Sequence, residues 1–245
     1  MAADKVAFIT GGNKGLGLET ARQLGKQGIT VVIGSRDPEK GAAAAQKLKI
    51  DGIDAEAIRL DVTKPADYKA VYDHFDRKYG RLDILINNAG VSREDFLAGN
   101  KTSVTSAEVL HDTFDTNFFA VIQLTQTLLP LIRKSPAGRI VNLSSILGSL
   151  TLHADPNSPI YNAKAFAYDA SKAALNAFTV HLAHELKDTK IKVNSAHPGW
   201  VKTDMGTDAA PMEVIDGAKT GVRLAMLPDD GPTGGYFHMN DPLPW

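Results

Sequence analysis

Short apolar segments alternate with longer helical ones along most of this chain, and no other feature limits the fold as much. The apolar segments are Val6–Thr10, Thr30–Gly34, Ala55–Leu60, Leu82–Ile86, Arg139–Leu143 and Lys190–Ser195. Helical patterns lie between them at Gly15–Gln27, Pro38–Ile50, Pro65–Tyr79, Ser106–Lys134 and about Ala165–Lys187. Strands that are apolar at nearly every position, rather than at every second one, are buried on both faces, as in a parallel sheet. Repeated strand–helix–strand units with right-handed crossovers predict an α/β fold, a doubly wound parallel sheet with helices on both faces. Residues 1–245 read as a single domain, with no linker or repeat. Pro130 marks a turn or an end in the 106–134 helical stretch, because it lacks an N–H and crowds the preceding turn. Two segments break the alternation: Ser149–Lys164, carrying Pro156, Asn157 and Pro159, and the tail from about 228. Both read as loops, and long loops on a compact scaffold commonly line a site.

Composition removes several function classes. Lys and Arg total 27 against 28 Asp and Glu, a net charge of −1. Such a chain has no field to draw in nucleic acid or an anionic membrane. It has no cysteine, which excludes disulfides, thiolate nucleophiles and cysteine-ligated metals and accords with a reducing compartment. Val6–Ile9 is too short for a signal-peptide core, and no stretch approaches the roughly 18 apolar residues of a membrane span. The expectation is a cytoplasmic protein with no nucleic-acid or membrane partner. The run His181-Leu182-Ala183-His184-Glu185 has its glutamate after the second histidine and its histidines three apart, unlike the helical zinc motif, so no metal is expected.

The junction of the first strand and first helix reads Thr10-Gly11-Gly12-Asn13-Lys14-Gly15-Leu16-Gly17. Glycines let the backbone turn and approach a ligand closely, and the helix N-terminus behind them offers free N–H groups to a pyrophosphate. After the second strand stands Ser35-Arg36, where a carboxylate would hold a ribose 2′-hydroxyl. Arg36 can bind a 2′-phosphate with its planar fork and Lys14 can add a point charge, which favours NADP(H) over NAD(H). Asp37 opposes this if it turns inward. Asp61-Val62 follows the third strand; the carboxylate suits an adenine amino group or a turn cap equally well. Asn88-Ala89-Gly90, after the fourth strand, are small enough to let a cofactor backbone pass. Pro198-Gly199-Trp200-Val201-Lys202-Thr203 follows the sixth strand and offers backbone groups and the Thr203 hydroxyl to a nicotinamide amide.

Tyr168 and Lys172 stand one helical turn apart, on one face. A free phenol has a pKa near 10, and a neighbouring ammonium is expected to lower it and make the pair a proton donor and acceptor. Ser144 and Ser145 end the fifth strand at the carboxyl edge, where a hydroxyl can polarise a carbonyl. Asn117 sits in a helical stretch despite poor propensity, and either holds a water that feeds protons towards Lys172 or caps a bend.

Taken together and in order, these segments resemble the short-chain dehydrogenase/reductase family from about Val6 to Met205. The Asn-Lys pair in the glycine loop, Ser35-Arg36 and the Gly231–Phe237 ending are similar to its NADPH-dependent carbonyl reductase branch. The resemblance implies a Rossmann fold, catalytic roles for Asn117, Ser145, Tyr168 and Lys172, and contact of Lys172 with the nicotinamide ribose. It selects Ser145 over Ser144, because the family places its active serine second in the pair. The Ser145–Tyr168 separation is wider than is usual in the family, owing to the insertion at about 149–164. Insertions at this point can cover a subunit-pairing face, so monomer and homo-oligomer both stay open.

The resulting expectation is an NADPH-dependent reductase of small ketones or aldehydes. An alcohol or steroid dehydrogenase working oxidatively on the same site, a non-catalytic NADP-binding regulator and a structural or interaction protein are the alternatives. The pocket is expected between the Ser92–Ser103 loop, the insertion, the residues after Trp200 and the tail. Trp200, Phe96, Met205 and Trp245 suggest an apolar, aromatic-tolerant lining.

Overall fold

The computed structural model describes residues 5–94 and 100–245. One eight-stranded sheet runs in the order β3-β2-β1-β4-β5-β6-β7-β8. Its strands are β1 (Val6–Thr10), β2 (Thr30–Ser35), β3 (Ala55–Arg59), β4 (Ile84–Asn87), β5 (Arg139–Leu143), β6 (Lys192–His197), β7 (Tyr236–His238) and β8 (Asp241–Pro242). All pairings are parallel except β7 with β8. The strand order reverses between β1 and β4, so a crevice opens at their carboxyl ends, where ligands bind in such sheets.

Period two in the strands divides the core into two layers. Ala7 and Ile9 of β1 join Leu24, Ile33, Leu48, Val141 and Leu224 on one face. Val6 and Phe8 join Phe75, Leu85, Leu124, Leu128 and Leu182 on the other. The first layer is covered by α1 (Gly15–Gly25), α2 (Pro38–Ile50) and α8 (Val214–Ala225). The second is covered by α3 (Pro65–Lys78), α5 (Ala120–Ile132) and α7 (Phe166–Glu185). α4 (Ala107–Phe114) leads into α5 through a π-helical turn at Asp115–Phe119.

A polar seam crosses the second layer. Asn87, Asn142 and Ser195 lie side by side on β4, β5 and β6. Asn87 Nδ2 donates to Asn142 Oδ1 at 2.9 Å and to Thr125 Oγ1 at 3.1 Å. Asn142 Nδ2 donates to Thr179 Oγ1, and the Thr179 and Ser195 hydroxyls share a hydrogen bond, each at 2.8 Å. Buried polar groups are tolerated when they pair in this way.

The structure corrects three readings of the sequence. The tail is not all loop: β7 and β8 extend the sheet beyond β6. The Ser149–Lys164 insertion contains a short helix, α6 (Leu150–Ala154), capped by the Ser149 hydroxyl. Pro130 neither turns nor ends its helix, since α5 continues to Ile132. The segment between β6 and the tail also folds as α8, whose buried face is Gly217, Ala218, Thr220, Gly221, Leu224 and Ala225. Among the described residues, no helix is long and apolar enough to cross a membrane.

Candidate active site

The site lies along the carboxyl edge of β1, β4, β5 and β6. At β1, Gly11 and Gly15 take positive φ values of 63° and 53°. A Cβ at Gly17 would stand 2.5 Å from the Gly11 carbonyl oxygen and from Asn88 Nδ2. Asn88 itself fastens the loop, donating Nδ2 to the Thr10 carbonyl at 2.8 Å, while the Asn88 and Ala89 amides donate to Thr10 Oγ1. No side chain caps α1 at Lys14. This leaves a bare helix N-terminus behind a tightly held glycine turn, bracketed by Asn13 and Leu16. That cradle fits a dinucleotide pyrophosphate.

The end of β2 resolves the Asp37 question. Asp37 turns outward to cap α2, accepting from the Glu39 and Lys40 amides at 3.0 and 3.1 Å. The Lys40 amide, foremost, holds its carboxyl below the ordinary range. Ser35 Oγ donates to the Asp37 carbonyl, and Arg36 is left exposed. Lys14 does not point towards Arg36; it pairs with Asp204 across the cleft, both side chains being exposed. Asp61 is engaged as a turn cap, accepting from the Thr63 amide at 3.1 Å and hydroxyl at 2.8 Å. The carbonyl of Val62 accepts from the Tyr68 hydroxyl. Beyond β6, Pro198 and Gly199 lead to buried Val201, which bridges to Met212. The Thr203 methyl faces Gly15, so this loop closes on the glycine turn.

At the chemical end, α7 carries Tyr168 and Lys172, both buried. Lys172 Nζ stands 5.5 Å from the Tyr168 ring centroid and donates to the Leu143 carbonyl at 2.7 Å. The Ser145 hydroxyl lies near enough to the Tyr168 phenol to favour its ionised form, and it accepts from the Leu147 amide at 3.2 Å. The Ser144 hydroxyl is buried without a partner among the described residues. The geometry therefore brings Ser145, rather than Ser144, to the tyrosine. Gly90 passes close by: a Cβ there would lie 3.3 Å from Asn117 Oδ1 and 3.6 Å from Lys172 Nζ. Asn117 lies in the π-helical turn, a distortion frequent at functional sites. Its side-chain amide is spent on Val91, at 2.8 and 2.9 Å, and on Ser171 Oγ, at 3.0 Å.

The expected acidification of Tyr168 by Lys172 is not what the structure gives. Burial pushes the phenol up to about 12, against the pull of the Ser145 hydroxyl, and Asp169 adds to the rise. Burial alone pulls Lys172 down to about 8. Helical spacing establishes that the two side chains are neighbours, but removing both from water disfavours phenolate and ammonium alike. Near neutrality the phenol keeps its proton, the form that can donate to a developing alkoxide.

Other candidates fall away from this centre. Tyr161 is part-exposed in the insertion with Lys164 over its ring. Half-exposed Trp200 donates its indole N–H to the Gly206 carbonyl at 2.9 Å. Phe96 lies outside the described residues. Among the described residues no group of three or more metal-ligand side chains is gathered. Two side chains that hold the 145–148 turn carried no motif: His153, facing the Leu147 carbonyl at 2.9 Å, and Asn176, reaching the Gly148 carbonyl at 3.4 Å. Asn176 is four residues after Lys172, so helix periodicity alone places it on the same face.

A doubly wound sheet with a glycine cradle at the switch point and a serine–tyrosine–lysine group beside it defines a dinucleotide-dependent oxidoreductase architecture. Residues 5–214 match the family described as short chain dehydrogenase. Short-chain dehydrogenase/reductase 1 of Saponaria officinalis is 33% identical, with 100% of this chain and 97% of that protein aligned. Carbonyl reductase 1 of Mus musculus, named as NADPH-dependent, is 33% identical with 98% of each chain covered. The NADPH-bound carbonyl reductase from chicken fatty liver superposes with a TM-score of 0.85, at 27% identity over 99% of each chain. The chain belongs to the short-chain dehydrogenase/reductase family, and its relatives include the carbonyl reductase branch.

Proposed function

We propose that this protein is an NADPH-dependent reductase that converts ketones or aldehydes to alcohols. The observation that carries the reading is the Ser145–Tyr168–Lys172 group, gathered and buried at the carboxyl edge of the sheet beside the glycine cradle. The family relationship and the NADPH-bound relatives support the cofactor, as do an exposed Arg36 and an Asp37 committed to its helix cap. In this reading Gly11, Asn13, Gly15, Leu16 and Gly17 cradle the pyrophosphate, and Arg36 takes the 2′-phosphate. Lys14 adds its charge there on release from Asp204. When bound, NADPH supplies the hydride that reduces the carbonyl carbon.

The chain's own residues handle the oxygen. The Ser145 hydroxyl has one hydrogen to donate to the substrate oxygen while its own oxygen accepts from the Leu147 amide. It polarises the carbonyl as charge develops. Tyr168, protonated at neutral pH, gives its proton to that oxygen. Lys172, fixed on the Leu143 carbonyl, stabilises the phenolate left behind and binds the nicotinamide ribose. Asn117 holds the Val91 backbone and, through Ser171, the first turns of α7, and so positions Tyr168. The direct test follows NADPH consumption over a panel of aryl ketones, keto esters, aldehydes and quinones. Tyr168→Phe is expected to abolish turnover and leave NADPH binding intact. Unchanged turnover in that variant refutes the assignment.

A further inference from the structure

The turn that presents Ser145 is held through its own peptide groups by two buried side chains from the last parallel strands. Tyr236, at the start of β7, is 2% exposed and donates its hydroxyl to the Ser145 carbonyl. Its ring stacks on Trp245 at 5.5 Å and 19°. The backbone of Trp245 in turn accepts from the Thr151 amide at 2.9 Å, joining the tail to α6. His197, the last residue of β6, accepts the Ile146 amide on Nδ1 at 3.1 Å and, more loosely, the Gly199 amide at 3.4 Å. Two N–H groups aimed at one ring nitrogen require that nitrogen to be bare, so the proton sits on Nε2. One imidazole therefore ties the serine turn to the Pro198-Gly199 turn that follows the neighbouring strand β6.

We propose that Tyr236 and His197 are positioning residues for Ser145: they grip the carbonyl of residue 145 and the amide of residue 146, and so aim the polarising hydroxyl at the substrate oxygen. The inference rests on the reductase reading above. Neither side chain belongs to the serine–tyrosine–lysine group, and neither needs to touch substrate. Burial favours the forms this requires. It raises the phenol of Tyr236, which stays protonated and donating, and with help from His238 it pulls His197 down to about 3, so that it stays neutral and accepting. The arrangement makes the β6–β7 edge, remote in sequence from residue 145, part of the catalytic geometry.

The test is a double-mutant cycle read by kcat for ketone reduction, KM for NADPH and Tm. Tyr236→Phe keeps the ring and its stacking and deletes only the hydroxyl. Catalysis is steeply sensitive to small misplacements, about 100-fold for 1 Å. We expect kcat to fall about tenfold on that scale, with KM for NADPH unchanged. In a Ser145→Ala background the same change is expected to have no further effect, because the group it aims is gone. His197→Leu, which cannot accept, is expected to repeat the loss, and His197→Asn, which can, to recover most of it. This pair decides the matter if Tyr236→Phe folds poorly. Equal losses in both backgrounds, or no loss in either, overturn the inference while leaving the reductase reading intact. A Ser145→Ala enzyme as active as the parent sinks the reductase mechanism itself, and the inference with it.

Discussion

Replacing Gly148 by alanine probes whether contact with α7 sets the place of the serine turn. A Cβ at 148 would stand 2.9 Å from the backbone carbon of Lys172, 3.0 Å from its Cβ and 3.1 Å from the Ala173 nitrogen, where ordinary contact begins at 3.4 Å. Two of these three atoms belong to the backbone of a 20-residue helix, which cannot step aside cheaply. The turn must therefore retreat by about 0.5 Å. Overpacking of this kind costs about 1–3 kcal/mol. For a chain of this size that is a drop in Tm of about 2–12 °C. The same retreat draws Ser145 away from Tyr168, and half of a 1 Å misplacement corresponds to roughly a tenfold loss in kcat. The glycine cradle is anchored on β1, two strands away from β5 in the sheet, so KM for NADPH is expected to hold. Scanning calorimetry and steady-state reduction measure both quantities. A Tm and kcat equal to the parent's refute the packing argument. A rise in KM for NADPH equal to the fall in kcat refutes the separation of the two ends of the site.

Further outcomes follow from charge. Reduction, measured as kcat/KM, is expected to be full below pH 8 and to fall as pH rises through about 8, where the buried Lys172 loses its proton; Tyr168 keeps its own to about 12. Lys172→Arg, charged at every accessible pH, should flatten that limb, and a parent profile that is already flat rejects lysine as its source. Arg36→Asp is expected to lower the preference for NADPH over NADH by about 10- to 150-fold, the worth of one charge-assisted bond, measured as the ratio of kcat/KM values. An unaltered ratio removes Arg36 from cofactor choice.

The strand–helix alternation was legible because β1, β2 and β4 are almost wholly apolar and buried along their length, while β3, at the sheet edge, and the polar-rich β6 carry a weaker signal. The glycine cradle and the Tyr168–Lys172 pair were legible because they are local: a few consecutive residues, or one helical turn. What escaped depends on contacts between distant segments or on weak local signal. α8 buries Gly217, Ala218, Thr220, Gly221 and Ala225 beside a single large side chain, Leu224, so few large residues mark its inner face. β7 has three residues and becomes a strand only beside β6. Pro130 sits inside the last turn of α5, which runs on to Ile132. The sequence could not show which way Asp37 turns, nor that Lys14 meets Asp204. Most instructively, the spacing of Tyr168 and Lys172 reports neighbourhood and says nothing about water. Dehydration of the pair reverses the shift that proximity alone suggests. The oxygen-facing chemistry survives, because a protonated phenol is the donor that reduction requires.

The side-by-side Asn87, Asn142 and Ser195 carry a consequence for how the chain avoids wrong structures. Apolar strands of similar length can exchange partners by sliding, since one valine replaces another at little cost. Here a slip of one residue would turn a carboxamide towards the opposite layer. It would strand donors and acceptors in a dry interior at about 1–3 kcal/mol for each. The central strands are thus proofread by their polar residues, and trading that seam for well-packed leucine and valine would give up alignment fidelity in exchange for greasiness.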